Sequence, residues 1–101
     1  MIQITVKRKD SRITDLKITG HANAGEYGHD LVCAVVSGIA TGLANAVDEL
    51  LNEEAIVLKE GYAEIHISHP SDQSDLVMKT GLIELQTAEA VNKDYMKITE
   101  V

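Results

Sequence analysis

The stretch from Val32 to Leu51 constrains this chain most. Val32, Val35, Val36, Ile39, Leu43, Val47, Leu50 and Leu51 recur at helical spacing, so the segment predicts a largely core-facing helix. On either side the apolar period falls from 3.6 residues to two. Ile2, Ile4 and Val6 alternate with polar residues, and Ile13 to Thr19 repeats the pattern after Lys9-Asp10-Ser11, the signature of a hairpin. Ala55–Lys59 and Tyr62–Ser68 form a second such pair about Glu60-Gly61.

His69-Pro70-Ser71-Asp72 breaks the alternation and can start a second helix. Its buried stripe is expected on Leu76, Thr80, Ile83, Thr87 and Val91, widened by Val77, Leu85 and Ala88. Tyr95–Val101 reads as a last strand. The expected fold class is α+β, with two helices packed on a mostly antiparallel or mixed sheet and the order β-β-α-β-β-α-β. A chain of 101 residues fits one domain. Gly38 and Gly42 lie four apart inside the first helix, where each costs about 1 kcal/mol relative to Ala. Their expected use is close approach of a neighbouring strand or a partner subunit.

The core must be aliphatic, because there is no Trp or Phe and only three Tyr. Nine basic against sixteen acidic residues leave a formal charge of −7. That disfavours direct nucleic-acid binding, which needs a basic footprint, and suits a basic partner. No apolar run is expected to serve as a membrane span of roughly 18–20 residues, and the alternating N-terminus lacks a signal-peptide core. With a single cysteine no internal disulfide can form, so a reducing cytoplasm is the expected location.

Reactive side chains and flexible backbone coincide in Gly20–Ser37, which holds Cys33, His21, His29 and the glycines 20, 25 and 28. The second strand runs into Gly20-His21, placing His21 at a strand end. Residues 22–28 read as a loop. Asp30 is the expected N-cap of the helix, with Cys33 in its first turn. There the free N–H groups and the helix dipole favour a thiolate. His21 or His29 can pair with it as imidazolium, and Asp30 caps the helix or orients the histidine. Ser37 lies one turn beyond Cys33 on the same face. Two other readings of these residues stand beside catalysis. Cys33 can be an inert core residue, and His21, His29, Asp30 and Cys33 can hold a metal, although their spacing matches no closed zinc pattern. His66 and His69 are expected to be solvated, and Glu53-Glu54 a solvated helix end.

The run Gly20-His21-Ala22, Gly28-His29-Asp30, Val32-Cys33-Ala34 and then Ser37 resembles the Prp-type ribosomal-processing cysteine proteases. Val35 stands where that family commonly has a small residue. The resemblance covers the whole length, but only this central motif is specific. It implies a single cysteine-protease domain over 1–101, homodimeric, that removes a short N-terminal extension from a large-subunit ribosomal protein. It assigns Cys33 as nucleophile and His21 as general base, with Gly20, Gly25, Gly28, Asp30 and Ser37 as supporting or substrate-loop positions. It implies a mobile loop between histidine and cysteine, cleavage after hydrophobic and aromatic residues, and no cofactor or metal. A non-catalytic ribosome-assembly or binding module is the alternative in a different functional class.

Overall fold

The structure, a computed structural model, describes the backbone of residues 1–20 and 27–101 and the side chains of 1–20 and 31–101. The elements follow the expected order: β1 (Ile2–Lys9), β2 (Arg12–Thr19), α1 (Tyr27–Leu51), β3 (Ile56–Lys59), β4 (Tyr62–His66), α2 (Asp72–Val91) and β5 (Met96–Glu100). One five-stranded sheet has the strand order β3-β4-β2-β1-β5. It is mixed, because β5 runs parallel to β1 while the other neighbours are antiparallel.

Register explains why the alternation works. Ile4 pairs with Ile18 and Ile98, Val6 with Leu16, Leu16 with Ile65, and Ile18 with Ala63. Paired residues share a face, so the apolar half of every strand forms one surface. The opposite surface carries Gln3, Lys7, Lys17 and Lys97, all exposed. Both helices cover the apolar surface and close a core of Ile, Leu, Val, Ala and Met without any Phe or Trp. Asp10 and Ser11 turn β1 into β2 with φ of 51° and 72°, a tight reversal of the kind that suits hairpin twist.

Several expected faces are rotated. In α2 the buried residues are Ser74, Met78, Gly81, Leu82, Leu85 and Ala88. Leu76, Ile83 and Val91 of the expected stripe are 68%, 54% and 81% exposed. Two stripes in α2 have helical spacing, and spacing alone does not rank them. The outward one carries Thr80 and Thr87, whose hydroxyls donate back to the carbonyls of Leu76 and Ile83 and need no partner on the sheet. The inward one carries Gly81, which lets Leu43 of α1 come close: a Cβ there would lie 2.4 Å from a Leu43 methyl. The N-terminus behaves as the sequence predicts. Ser71 caps α2 through the Ser74 N–H, and the Ser74 hydroxyl accepts from the Ser71 N–H in return.

In α1 Val32, Val36, Ala40, Leu43, Ala44 and Val47 are buried, whereas Val35 and Leu50 point outward. Among the described residues nothing beyond α1's own backbone lies within 4 Å of where a Cβ at Gly38 or Gly42 would stand, so no described strand approaches them. By length and composition Leu31–Leu51 is apolar enough to cross a membrane, contrary to the expectation that no run is. Its buried side is part of the sheet-covering core, and only 33% of the stretch is buried. The rest of the helix leaves Leu31, Val35 and Leu50 exposed beside Ser37, Thr41, Asp48 and Glu49.

Glu53 also departs from expectation. It is 6% exposed rather than solvated, and its two carboxylate oxygens accept from the Ser68 N–H at 3.0 Å and the His69 N–H at 2.9 Å. These bonds hold the segment between β4 and α2. Burial pushes the Glu53 carboxyl up, but the donated hydrogen bonds outweigh it and hold the group below its ordinary value of 4.5. A folded value below the unfolded one means the contribution is complete above about pH 4.5 and fades as pH falls through the lowered value. Glu53→Gln can accept one of these bonds but turns an NH2 toward the other donor. We expect a loss of about 2 kcal/mol at pH 7, read from urea midpoints, and convergence with the wild type once Glu53 is protonated. A constant gap across that range would show that the carboxylate charge is irrelevant. The two described histidine side chains lie at the surface as expected, His66 beside Asp15 at 2.7 Å and His69 94% exposed.

Candidate active site

Just beyond β2 the chain is drawn to the β3–β4 turn. The Gly20 N–H donates to the Gly61 carbonyl at 3.1 Å, and Gly20 adopts a φ of +95°. A Cβ at this position would lie 2.5 Å from the Met1 carbonyl oxygen. Glycine is therefore required here on two counts, the left-handed backbone and the close approach of the N-terminus. The Ile2 N–H in turn donates to the Tyr95 carbonyl, which fixes the N-terminus against the chain entering β5.

Across from Gly20 lies the second turn of α1. The helix begins at Tyr27, three residues before Asp30, so Asp30 is not the N-cap. Cys33 accordingly lies beyond the first turn, where the dipole's effect has largely decayed and its N–H belongs to the intrahelical ladder.

Cys33 is half-buried and packs against the core. It opens into a groove of about 310 Å³ between α1 and the β3–β4 side of the sheet. Gly20, Cys33 and Ser37 all line this groove, so three of the sequence-predicted site residues converge. Cys33, Ser37 and Thr41 descend one wall at intervals of four, presenting a thiol and two hydroxyls in a row. Thr41 was not among the candidates, although its spacing after Ser37 is a legible signal. The opposite wall is the hairpin Leu58–Ala63, equally unforeseen, because only strand order brings it beside α1. Tyr62 is held on the outer face of this hairpin, with the ammonium groups of Lys17 and Lys59 at 5.6 and 5.3 Å from its ring. Its hydroxyl donates to Glu64, and that bond, with burial and the Glu64 charge, raises the phenol above its ordinary value.

His21 and Gly25 lie outside the described residues. Gly28, His29 and Asp30 are placed only as backbone in the first turn of α1, so their side chains also lie outside the description. Among the described residues no group of three His, Cys, Asp or Glu side chains is arranged to hold a metal.

Known proteins are similar to this chain in sequence and in fold. The family described as cysteine protease Prp matches residues 1–97. The ribosomal processing cysteine protease Prp of Staphylococcus aureus is 37% identical over 101 residues, covering 96% of this chain and 94% of the relative. The protein of the same name from Bacillus subtilis is 32% identical over 108 residues, covering 98% and 96%. Among solved structures, the S. aureus ribosomal processing protease Prp with a covalently linked product peptide superposes with a TM-score of 0.86 at 32% identity, over all of both chains. The same protease with a substrate peptide gives 0.84 at 30%. With a family match across nearly its whole length and relatives alike in sequence and fold, this chain belongs to the cysteine protease Prp family.

Proposed function

We propose that this chain is a cysteine endopeptidase that processes a ribosomal protein, removing a short N-terminal extension from a large-subunit precursor, with Cys33 and His21 as its dyad. The observation that carries the reading is the place of Cys33. The only thiol of a cysteine-protease family member lines an open groove together with Gly20, the residue directly before His21. The relatives named as ribosomal processing proteases, and the S. aureus structures with substrate and product peptides, support the substrate class.

In this reading the Cys33 thiolate attacks the scissile carbonyl carbon, and the His21 imidazolium protonates the leaving amine. Water then hydrolyses the thioester, releasing the carboxylate and restoring the thiol. Because Cys33 lies in the second turn, its own N–H is engaged, and the Ser37 hydroxyl one turn along the same groove wall is the donor offered to the substrate carbonyl. The acidic surface draws a basic ribosomal precursor toward the groove. A reducing cytoplasm, where ribosomal proteins are made, keeps the single thiol available. Incubation of the protein with its own organism's precursor, followed by intact mass, tests this reading. A precursor left at full length would refute it.

The protease works as a homodimer through the open face shared by α1 and α2. A groove of about 400 Å³ runs there between Gly38, Gly42 and Leu50 on one helix and Val77 and Thr80 on the other. Apolar groups left open on this scale are covered in stable assemblies. Gly42→Glu fits the isolated subunit, because among the described residues nothing beyond the helix's own backbone lies within 4 Å of where its Cβ would stand. It places a charge on the face. Light scattering is expected to give twice the 11.0 kDa subunit mass for the wild type and a folded monomer for the variant. A monomeric wild type would remove the dimer from the account.

A further inference from the structure

We infer that the substrate binds by pairing as an added strand along the outer edge of β3, with the main chain of Leu58 as its anchor; this rests on the protease reading above. β3 is a terminal strand of the sheet among the described residues. Its pairing with β4 joins Lys59 to Tyr62, Leu58 to Ala63, Val57 to Glu64 and Ile56 to Ile65. The two-residue turn Glu60-Gly61 makes Lys59–Tyr62 the closing hydrogen-bonded pair, and the His66 N–H donating to the Ala55 carbonyl at 2.9 Å fixes the phase at the other end. In an antiparallel ladder such pairs alternate with non-bonded ones. Val57 therefore spends its N–H and C=O on β4, whereas those of Ile56 and Leu58 face outward. The Ile56 N–H is taken by the Glu54 carbonyl at 2.8 Å. Leu58 is left as the residue that offers both a donor and an acceptor at the edge.

The same residue connects this edge to the chemistry. Leu58 shares the face of its partner Ala63, and both line the groove that holds Cys33, Ser37 and Thr41. It is 45% exposed, so an arriving chain can reach it. A peptide paired there lies along the rim of the Cys33 groove and turns alternate side chains inward beneath α1. Strand pairing recognises main chain, so it holds any extended segment before the scissile bond, while the aliphatic groove selects the side chains. The groove's continuity with Cys33 makes the substrate the occupant, rather than a second copy of this chain.

The test uses a synthetic peptide spanning the precursor's cleavage junction. Leu58→Pro deletes the outward N–H, and an edge strand tolerates proline where that N–H faces away from the sheet. Leu58→Ala removes the side chain and keeps the donor. The expected result is a rise of about tenfold in KM for Leu58→Pro, with kcat within about twofold because the lost contact is made equally in ground and transition states. A smaller rise is expected for Leu58→Ala. In the Cys33→Ala variant the Leu58 amide should exchange about tenfold more slowly when the peptide is added. Exchange at Leu58 unchanged by peptide, or a wild-type KM in folded Leu58→Pro, overturns the inference while wild-type cleavage keeps the protease reading. Slowing with protein concentration alone would assign the edge to a second copy and overturn it too. Should Leu58→Pro fail to fold, the exchange measurement decides. Failure of the wild type to cleave any precursor is the separate failure of the protease reading.

Discussion

Cys33→Ala is expected to abolish processing, lowering kcat/KM by about a thousandfold or more, while the protein stays folded. The two halves of this expectation have different origins. Loss of activity follows because no other thiol exists in the chain and the oxygen nucleophiles along the same wall, Ser37 and Thr41, are alcohols with no comparable tendency to ionise. Retention of the fold follows because Cys33 is only half-buried and lies within α1, where alanine is the best helix former. Unfolding midpoints should move by less than about 1 kcal/mol. His21→Ala should lose activity to a similar extent, and the double variant little more than either single one, because members of a dyad act as a unit. His29→Ala is the internal control. If it were inactive and His21→Ala active, the general base would be His29. Cleavage surviving in Cys33→Ala would end the assignment.

Gly20→Ala carries the largest expected effect on stability. A side chain at a φ of +95° costs about 1–3 kcal/mol. Its Cβ would also lie 2.5 Å from the Met1 carbonyl oxygen. That neighbour is backbone, held by the adjacent Ile2 N–H bonded to Tyr95, and cannot swing aside as a flexible side chain would. Relief requires the start of β1 or the end of β2 to shift, and both flank the groove. We expect about 3 kcal/mol of destabilisation, a fall of roughly 15 °C in melting temperature for a domain this size, and weaker cleavage even below the melting range. Gly42→Ala is the contrast, because among the described residues its methyl meets nothing beyond the helix's own backbone within 4 Å. A Gly20→Ala melting curve overlaying the wild type would contradict the geometry at the strand end.

Local pattern carried a good deal of this molecule. Alternation in Ile2–Val6 and Ile13–Thr19 specified strands because one-residue slips would expose every apolar side chain. The break at His69-Pro70-Ser71-Asp72 announced the start of α2, and the structure adds that Ser71 and Ser74 satisfy each other's backbone within one turn. Local pattern failed where two solutions had equal spacing. In α2 the choice between the Leu76–Ile83 and Met78–Leu85 stripes depends on what the sheet and Leu43 present, and that is decided only by docking. Glu53 looked like one more surface acid. Its burial depends on the Ser68 and His69 amides, which come from a different segment and face it only after β4 is in place.

The active-site stretch divides the same way. The sequence by itself offered the candidates for the chemistry: one cysteine, two nearby histidines, and glycines spaced about them. It also determined the family resemblance through that motif. Tertiary structure decided that Gly20, Cys33 and Ser37 share one groove, that Cys33 sits in the second turn and not the first, and that the groove's far wall is the Leu58–Ala63 hairpin. The reason is the strand order. β4 pairs with β2 across an interval that contains all of α1, so the residues facing Cys33 are set by long-range pairing, which no local period encodes.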